Sequence, residues 1–206
     1  MSQAFALIEF EGVAAGMLAV DRMLKRSPVA LLRCGTVHRG RYLAMIGGSV
    51  ASTEEAHSAG TEAGCEMGAL TDEVLLPDPH PALVAAIGGE RRVPEAEAVG
   101  VLEISSSPGL LRVVDAVLKA VPVDLVEVRM ADGLGGRALA IVDGRISDVQ
   151  ECLAMAPAIL GDRARVLGSS LLPRLDETLR EVLGAGTSFR SCRTWEPAGA
   201  EKVEGC

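Results

Sequence analysis

AFALIEFEGVAAGMLAVDRMLKRSPVALL (residues 4–32) and AVGVLEISSSPGLLRVVDAVLKAVPVDLV (residues 98–126) are the same message written twice. At a constant offset of 94, Glu9 falls on Glu103, Asp21 on Asp115, Lys25 on Lys119, Pro28 on Pro122 and Val29 on Val123. A two-residue insertion then moves the offset to 96. GRYLAMIGG (40–48) matches GRALAIVDG (136–144), and LLP (75–77) matches LLP (171–173). Two copies of one module in one chain point to pseudo-symmetric assembly, because each copy offers the same edge to its neighbour.

Within the first copy, Ala4–Phe10 is a short aliphatic run suited to a buried strand. Val13, Met17, Val20 and Leu24 then recur at helical spacing, as do Leu111, Val114, Leu118 and Val121 in the second copy. Each helix is expected to stop before Pro28 or Pro122, since the residue ahead of a proline resists helical geometry. Val29–Cys34 and Tyr42–Ile46 read as two strands joined by TVHRG; Val123–Val128 and Ala138–Val142 are joined by the longer ADGLGG. A small-residue helix over about Val50–Met67, a strand at Leu70–Leu76 and a short helix at Pro81–Ile87 complete the module. Ser105–Ser107 before Pro108 marks a helix start, with serine as cap and proline in the first turn.

The resulting order is β-α-β-β-α-β-α, twice, with helices on one face of a mostly antiparallel sheet. This is an α+β fold in a ferredoxin-like arrangement. The expected division is residues 1–94, residues 95–186 and a C-terminal tail from 187 to 206, read as mobile. GGERRVPEAE (88–97) is the polar, Pro- and Gly-containing connection between the copies.

Composition narrows function. The 206 residues are 49% hydrophobic but hold one Trp, one Tyr and three Phe, so the core is aliphatic. A net charge of −8 argues against nucleic acid, which needs a basic face. No run reaches the roughly 18 apolar residues of a membrane span, and acids interrupt the apolar N-terminus, so neither a span nor a signal peptide is expected. Five cysteines (34, 65, 152, 192, 206) without CxxC spacing fit free thiols better than a disulfide framework or structural zinc. Cys192 and Cys206 could pair or tether another component.

Taken together, the strand, the Asp-x-x-x-Lys helix and following strand of both copies, with GRYLAMIGG and LLPDPH, resemble bacterial microcompartment shell domains. The resemblance spans roughly residues 4–185 in unpermuted order, and is to the tandem-domain, trimeric type. It implies a non-enzymatic structural protein whose homotrimer imitates a six-sided tile, a pseudo-hexamer. Such tiles pack with other shell proteins in a compartment in the bacterial cytoplasm, and small metabolites cross a central pore.

Site residues follow from that resemblance. Lys25 and Lys119 match the tile-edge lysine, each one turn after an aspartate that can pair with it at i,i+4. Thr36, Val37, His38, Arg39 and Gly40, with Asp132, Gly133, Leu134 and Gly135 of the second copy, match the loops around the pore. A basic ring there favours anionic metabolites. His38 stands where an iron–sulfur-carrying relative has its ligating cysteine, and Cys34 lies four residues earlier. No cofactor is expected; the alternative is a redox or metal-carrying shell protein with a metal, held by three His38 side chains, or an iron–sulfur centre on the three-fold axis. A ligand-binding sensor is a third reading.

Other features carry less. Gly133, Gly135 and Gly136 lack the GK[ST] and the strand-to-helix setting of a phosphate loop, and are expected where side chains would crowd the axis. His57 and His80 read as surface or turn residues. No Ser/His/Asp set or paired carboxylates recur between the copies.

Overall fold

The structure, a computed structural model, describes residues 4–131 and 133–188. The first half runs β1 (Ala4–Glu11), α1 (Val13–Arg26), β2 (Ala30–Val37), a 3-10 turn at His38–Gly40, β3 (Arg41–Gly48), α2 (Val50–Glu66), β4 (Leu70–Leu76) and α3 (Pro81–Ile87). The second runs β5 (Ala98–Ile104), α4 (Ser107–Ala120), β6 (Asp124–Met130), β7 (Ala138–Gly144), α5 (Ile146–Leu160), β8 (Val166–Pro173) and α6 (Glu177–Ala185). The anticipated element order holds in both copies.

Each half builds a four-stranded sheet, ordered β2-β3-β1-β4 and β6-β7-β5-β8, with every pairing antiparallel. The repeat extends to the irregularities. Register shifts fall between Leu31 and Arg33 and between Leu125 and Glu127, then between Glu9 and Phe10 and between Glu103 and Ile104. A bulge re-aims every later side chain on its strand, so its repetition makes the sequence offsets true structural equivalences. Glu9 sits opposite Leu43 and Asp72, and Glu103 opposite Leu139 and Gly168.

Alternation along β1 sends Ala6, Ile8 and Phe10 toward α1 and α2, where Ala19, Met23, Ala56 and Ala63 complete a small core. α1 ends at Arg26; Ser27 is extended ahead of Pro28, as expected of a residue preceding proline. α4 starts on Ser106, whose hydroxyl accepts from the Gly109 amide at 3.1 Å, with proline in the first turn. The largest core spans both halves: Leu7, Met45, Val74, Leu76 and Leu83 pack with Leu110, Leu111, Val114, Val117 and Leu125. The first sheet's face away from α1 and α2 is therefore part of the second domain's core.

Close helix–sheet approach rests on absent side chains. A Cβ on Gly16 of α1 would lie 2.6 Å from the Cβ of Tyr42, which stands on β3 and cannot move without the strand. Gly16→Val is expected to destabilise the protein by about 1–3 kcal/mol through overpacking, read as a lowered midpoint in thermal unfolding.

Candidate functional site

The two domains meet through a buried polar network that the sequence did not advertise. Glu9 is fully buried in mid-strand; its carboxylate accepts from Arg41 at 2.6 Å and from the Ser107 amide of the second domain at 3.1 Å. Burial pushes its pKa up, and the Arg41 and Ser107 hydrogen bonds pull it back down. Beside it on β4, Asp72 accepts from the Ser106 hydroxyl and from Arg112 of α4 at 3.1 Å. Arg112 also donates to the Glu73 carbonyl. Each carboxylate oxygen thus meets a donor: Arg41 on one oxygen of Glu9, and α4 or its cap on the other three, the condition under which buried charge is tolerated.

A second cluster borders this one. Glu73 is paired with His57 of α2 at 2.9 Å and with Arg163 of the loop after α5. Nearby, Asp115 accepts the His80 amide at 2.7 Å, while the His80 ring caps α3 by accepting from Ala82 at 3.2 Å. Lys119 pairs with Asp115 at 2.7 Å and donates to the Asp78 carbonyl. Both histidines are partly buried: His57 pairs with Glu73 of its own half, and His80 sits in the turn before α3 with its amide reaching Asp115 of the other half. The two lysines also differ. Lys119 is tied across the junction, whereas the described hydrogen bond and ion pair of Lys25 go to Asp21 on its own helix, at 2.6 Å.

The connection between the halves is anchored. Arg92 donates its amide to the Val126 carbonyl, Arg91 pairs with buried Glu127, and the Glu95 and Ala96 amides donate to Asp143 at 2.7 and 2.9 Å. Thr187, the first residue assigned to the tail, donates to Glu127 at 3.0 Å and accepts from Arg129 at 3.0 Å. The rest of that tail from 189 onward, with Cys192 and Cys206, lies outside the described residues.

The repeat exposes what this junction leaves undone. α4 presses Leu111 to 2% exposure, but its equivalent on α1, Met17, is 57% exposed. Leu125 and Val126 of β6 are buried; their equivalents Leu31 and Leu32 on β2 are exposed. Leu83 of α3 is buried and Leu179 of α6 is exposed. The Glu9 side chain keeps none of its surface, while that of Glu103 keeps 43%, facing Arg137 at 3.4 Å. The first domain thus offers a bare α1 and β2, and the second a bare β5–β8 edge and α6. These are the two complementary halves of the contact the chain has already made once internally.

The loops assigned to the pore lie side by side. The Gly133 amide donates to His38 Nδ1 at 3.3 Å, and a Cβ on Gly136 would lie 3.6 Å from the His38 carbonyl. Since an amide can only donate, His38 Nδ1 is the acceptor in this contact. Arg39, Gly40, Ala131, Gly133, Gly135 and Gly136 all have positive φ. The glycines thus have a backbone reason independent of crowding at an axis: left-handed geometry, which side chains disfavour. Leu134 folds back onto the second sheet with Val99, Leu139 and Leu183. Asp132 lies outside the described residues. Among the described residues of one chain, no three His, Cys, Asp or Glu side chains gather as a metal site.

Two fused ferredoxin-like modules, joined by a buried polar and apolar contact, define a tandem α+β protein. The BMC domain model matches residues 4–79 and 98–175, and the chain belongs to this family of bacterial microcompartment shell proteins, with the domain twice in tandem. It is 36% identical over 179 residues to the bacterial microcompartment shell protein PduT of Citrobacter freundii, covering 87% of this chain and 96% of that protein. EutM, a microcompartment shell protein of Salmonella typhimurium, is 33% identical over 78 residues, 38% of this chain and 81% of that one. A solved microcompartment protein from Desulfitobacterium hafniense superposes with a TM-score of 0.73 at 27% identity, covering 88% of this chain and all of that one.

Glu73 makes the junction sensitive to acid. Its pKa is lowered to about 2, first by the hydrogen bond from His57, then by Arg163, against the opposing effect of burial. A folded-state pKa below the ordinary value of 4.5 contributes stability above that value, lost as pH falls toward 2. Glu73→Gln is expected to flatten the fall in stability between about pH 4.5 and 2, measured by urea unfolding at a series of pH values.

Proposed function

We propose that the protein is a structural, non-enzymatic tile of a microcompartment shell, in which three chains close a pseudo-hexameric ring around the His38 and Gly133 loops. The observation that carries this reading is the unequal burial of equivalent residues. Met17, Leu31, Leu32 and Leu179 are exposed where Leu111, Leu125, Val126 and Leu83 are buried. Contiguous exposed apolar surface marks an interaction site, and here the repeat supplies its complement on the other end of the same chain. Such a head-to-tail contact forms a ring when the rotation closes and a filament when it does not. Family membership supports closure.

In this reading the α1 of each chain docks on β5 and β8 of the next, and its β2 receives the next chain's α6. Lys25 and Lys119 stand near the outer rim, where tiles meet one another or other shell proteins. The loops containing Thr36–Gly40 and Ala131–Gly136 face the centre, and the Arg39 guanidinium, repeated around the ring, biases passage toward small anionic metabolites by focusing a positive field. The compartment itself lies in the bacterial cytoplasm; no helix among the described residues is long and apolar enough to cross a membrane. A His38 metal centre has no supporting observation among the described residues.

Light scattering should return the mass of three chains for the wild type. Met17→Asp, a change at an exposed position, should yield folded monomers. A monomeric wild type, or a Met17→Asp protein that stays trimeric, contradicts the ring. For the rim, Lys25→Ala with Lys119→Ala should leave the trimer intact and reduce planar arrays in electron micrographs. Undiminished arrays would remove the lysines from the tile edge.

A further inference from the structure

The junction inside the chain and the seam between chains have one geometry but opposite chemistry. At the junction, Glu9, Asp72 and Glu73 of the first domain meet the Ser106 hydroxyl, the Ser107 amide, Arg112 and Arg163 of the second. At the seam, the positions of Asp72 and Glu73 are held by Gly168 and Ser169. Those of Ser106, Ser107 and Arg112 are held by Gly12, Val13 and Leu18. Glu103 keeps the place of Glu9 and pairs with Arg137 as Glu9 pairs with Arg41. Within the chain the second domain adds hydroxyl, amide and guanidinium donors for the acids; between chains Gly12, Val13 and Leu18 of α1 supply no side-chain donor.

We infer that the Asp72–Arg112 pair, with Ser106 as cap, is an assembly key: it commits the first domain's sheet to α4 of its own chain and leaves the second domain's edge, where Glu103 is already paired with Arg137, for α1 of another copy. The inference rests on the ring reading above. Its force lies in the cost of the wrong pairings. Were α1 to replace α4, Leu18 and Gly12 would lie against Asp72, stripping a fully buried carboxylate of both side-chain donors. Were α4 to dock on the second sheet, Arg112 would face Gly168, where the nearby acid, Glu103, is already engaged by Arg137. The first exchange leaves an unpaired charge out of water, which weakens association far more than the loss of a surface pair. Discrimination therefore works against domain-exchanged, open-ended chains.

The key can be moved. Leu18→Arg places a guanidinium at the position of Arg112, and Gly168→Asp a carboxylate at that of Asp72. A Cβ on Gly168 lies 3.8 Å from the Glu103 carboxylate, so Gly168→Asp adds a second acid beside Glu103 without steric clash, and Leu18 is exposed. In sedimentation equilibrium, Leu18→Arg alone should weaken trimerisation at least about tenfold, because the acid it meets, Glu103, is already paired with Arg137. Adding Gly168→Asp should restore most of the loss and make the trimer newly salt-sensitive. A trimeric wild type whose Leu18→Arg variant associates normally, or whose double variant is no tighter than Leu18→Arg, overturns the key alone. A monomeric wild type overturns the ring, and the key with it.

Discussion

The structure depends on a sheet face that its own domain cannot cover. β1 and β4 of the first domain carry Leu7, Val74 and Leu76 beside two carboxylates, Glu9 and Asp72, and α4 of the second domain buries all five. The apolar part of that burial is the driving force. The carboxylates convert it into a specific contact, because only a partner presenting the Ser106–Ser107 turn and Arg112 satisfies them. Neither domain is complete alone, and the connection pinned by Arg91, Arg92 and Asp143 keeps the two aligned.

Incompleteness also explains the surface. A chain that made one such contact and needed no other would not leave Met17, Leu31, Leu32 and Leu179 in solvent at positions whose repeats are core. Exposed apolar side chains scattered singly mean little. Exposed side chains whose duplicates are buried against a known surface indicate which surface they await. That reasoning moves from packing to assembly without any pocket chemistry, which suits a shell protein.

Much of the fold was legible in advance. Repetition of Glu9, Asp21, Lys25 and Pro28 at a fixed spacing revealed two modules. Pro28 and Pro122 placed helix ends, Ser106 and Pro108 a helix start, and the small residues of α2 announced close packing. The junction was less legible. Glu9 and Glu103 are the same residue at the same register, and the difference between a buried and a half-exposed carboxylate lies in what the opposite domain supplies. His57 carried no recurring pattern, because Leu153 and Ser169 stand where the other copy would need the His57–Glu73 pair. The loop glycines have a reason that the sequence did not show: Gly133, Gly135 and Gly136 take positive φ, a local backbone property that favours glycine.

Local and periodic information resides in the chain itself. Strand alternation, helix period, proline stops and the offset of the two copies are set by neighbours a few residues apart, so sequence alone determined two α+β modules and their family. Which equivalent residues are buried depends on contacts between positions some forty to one hundred residues apart, as between Asp72 and Arg112 or Glu9 and Ser107. No periodicity encodes such distances. Only the folded chain decided that one copy's helix is core while its twin remains an unpaired surface.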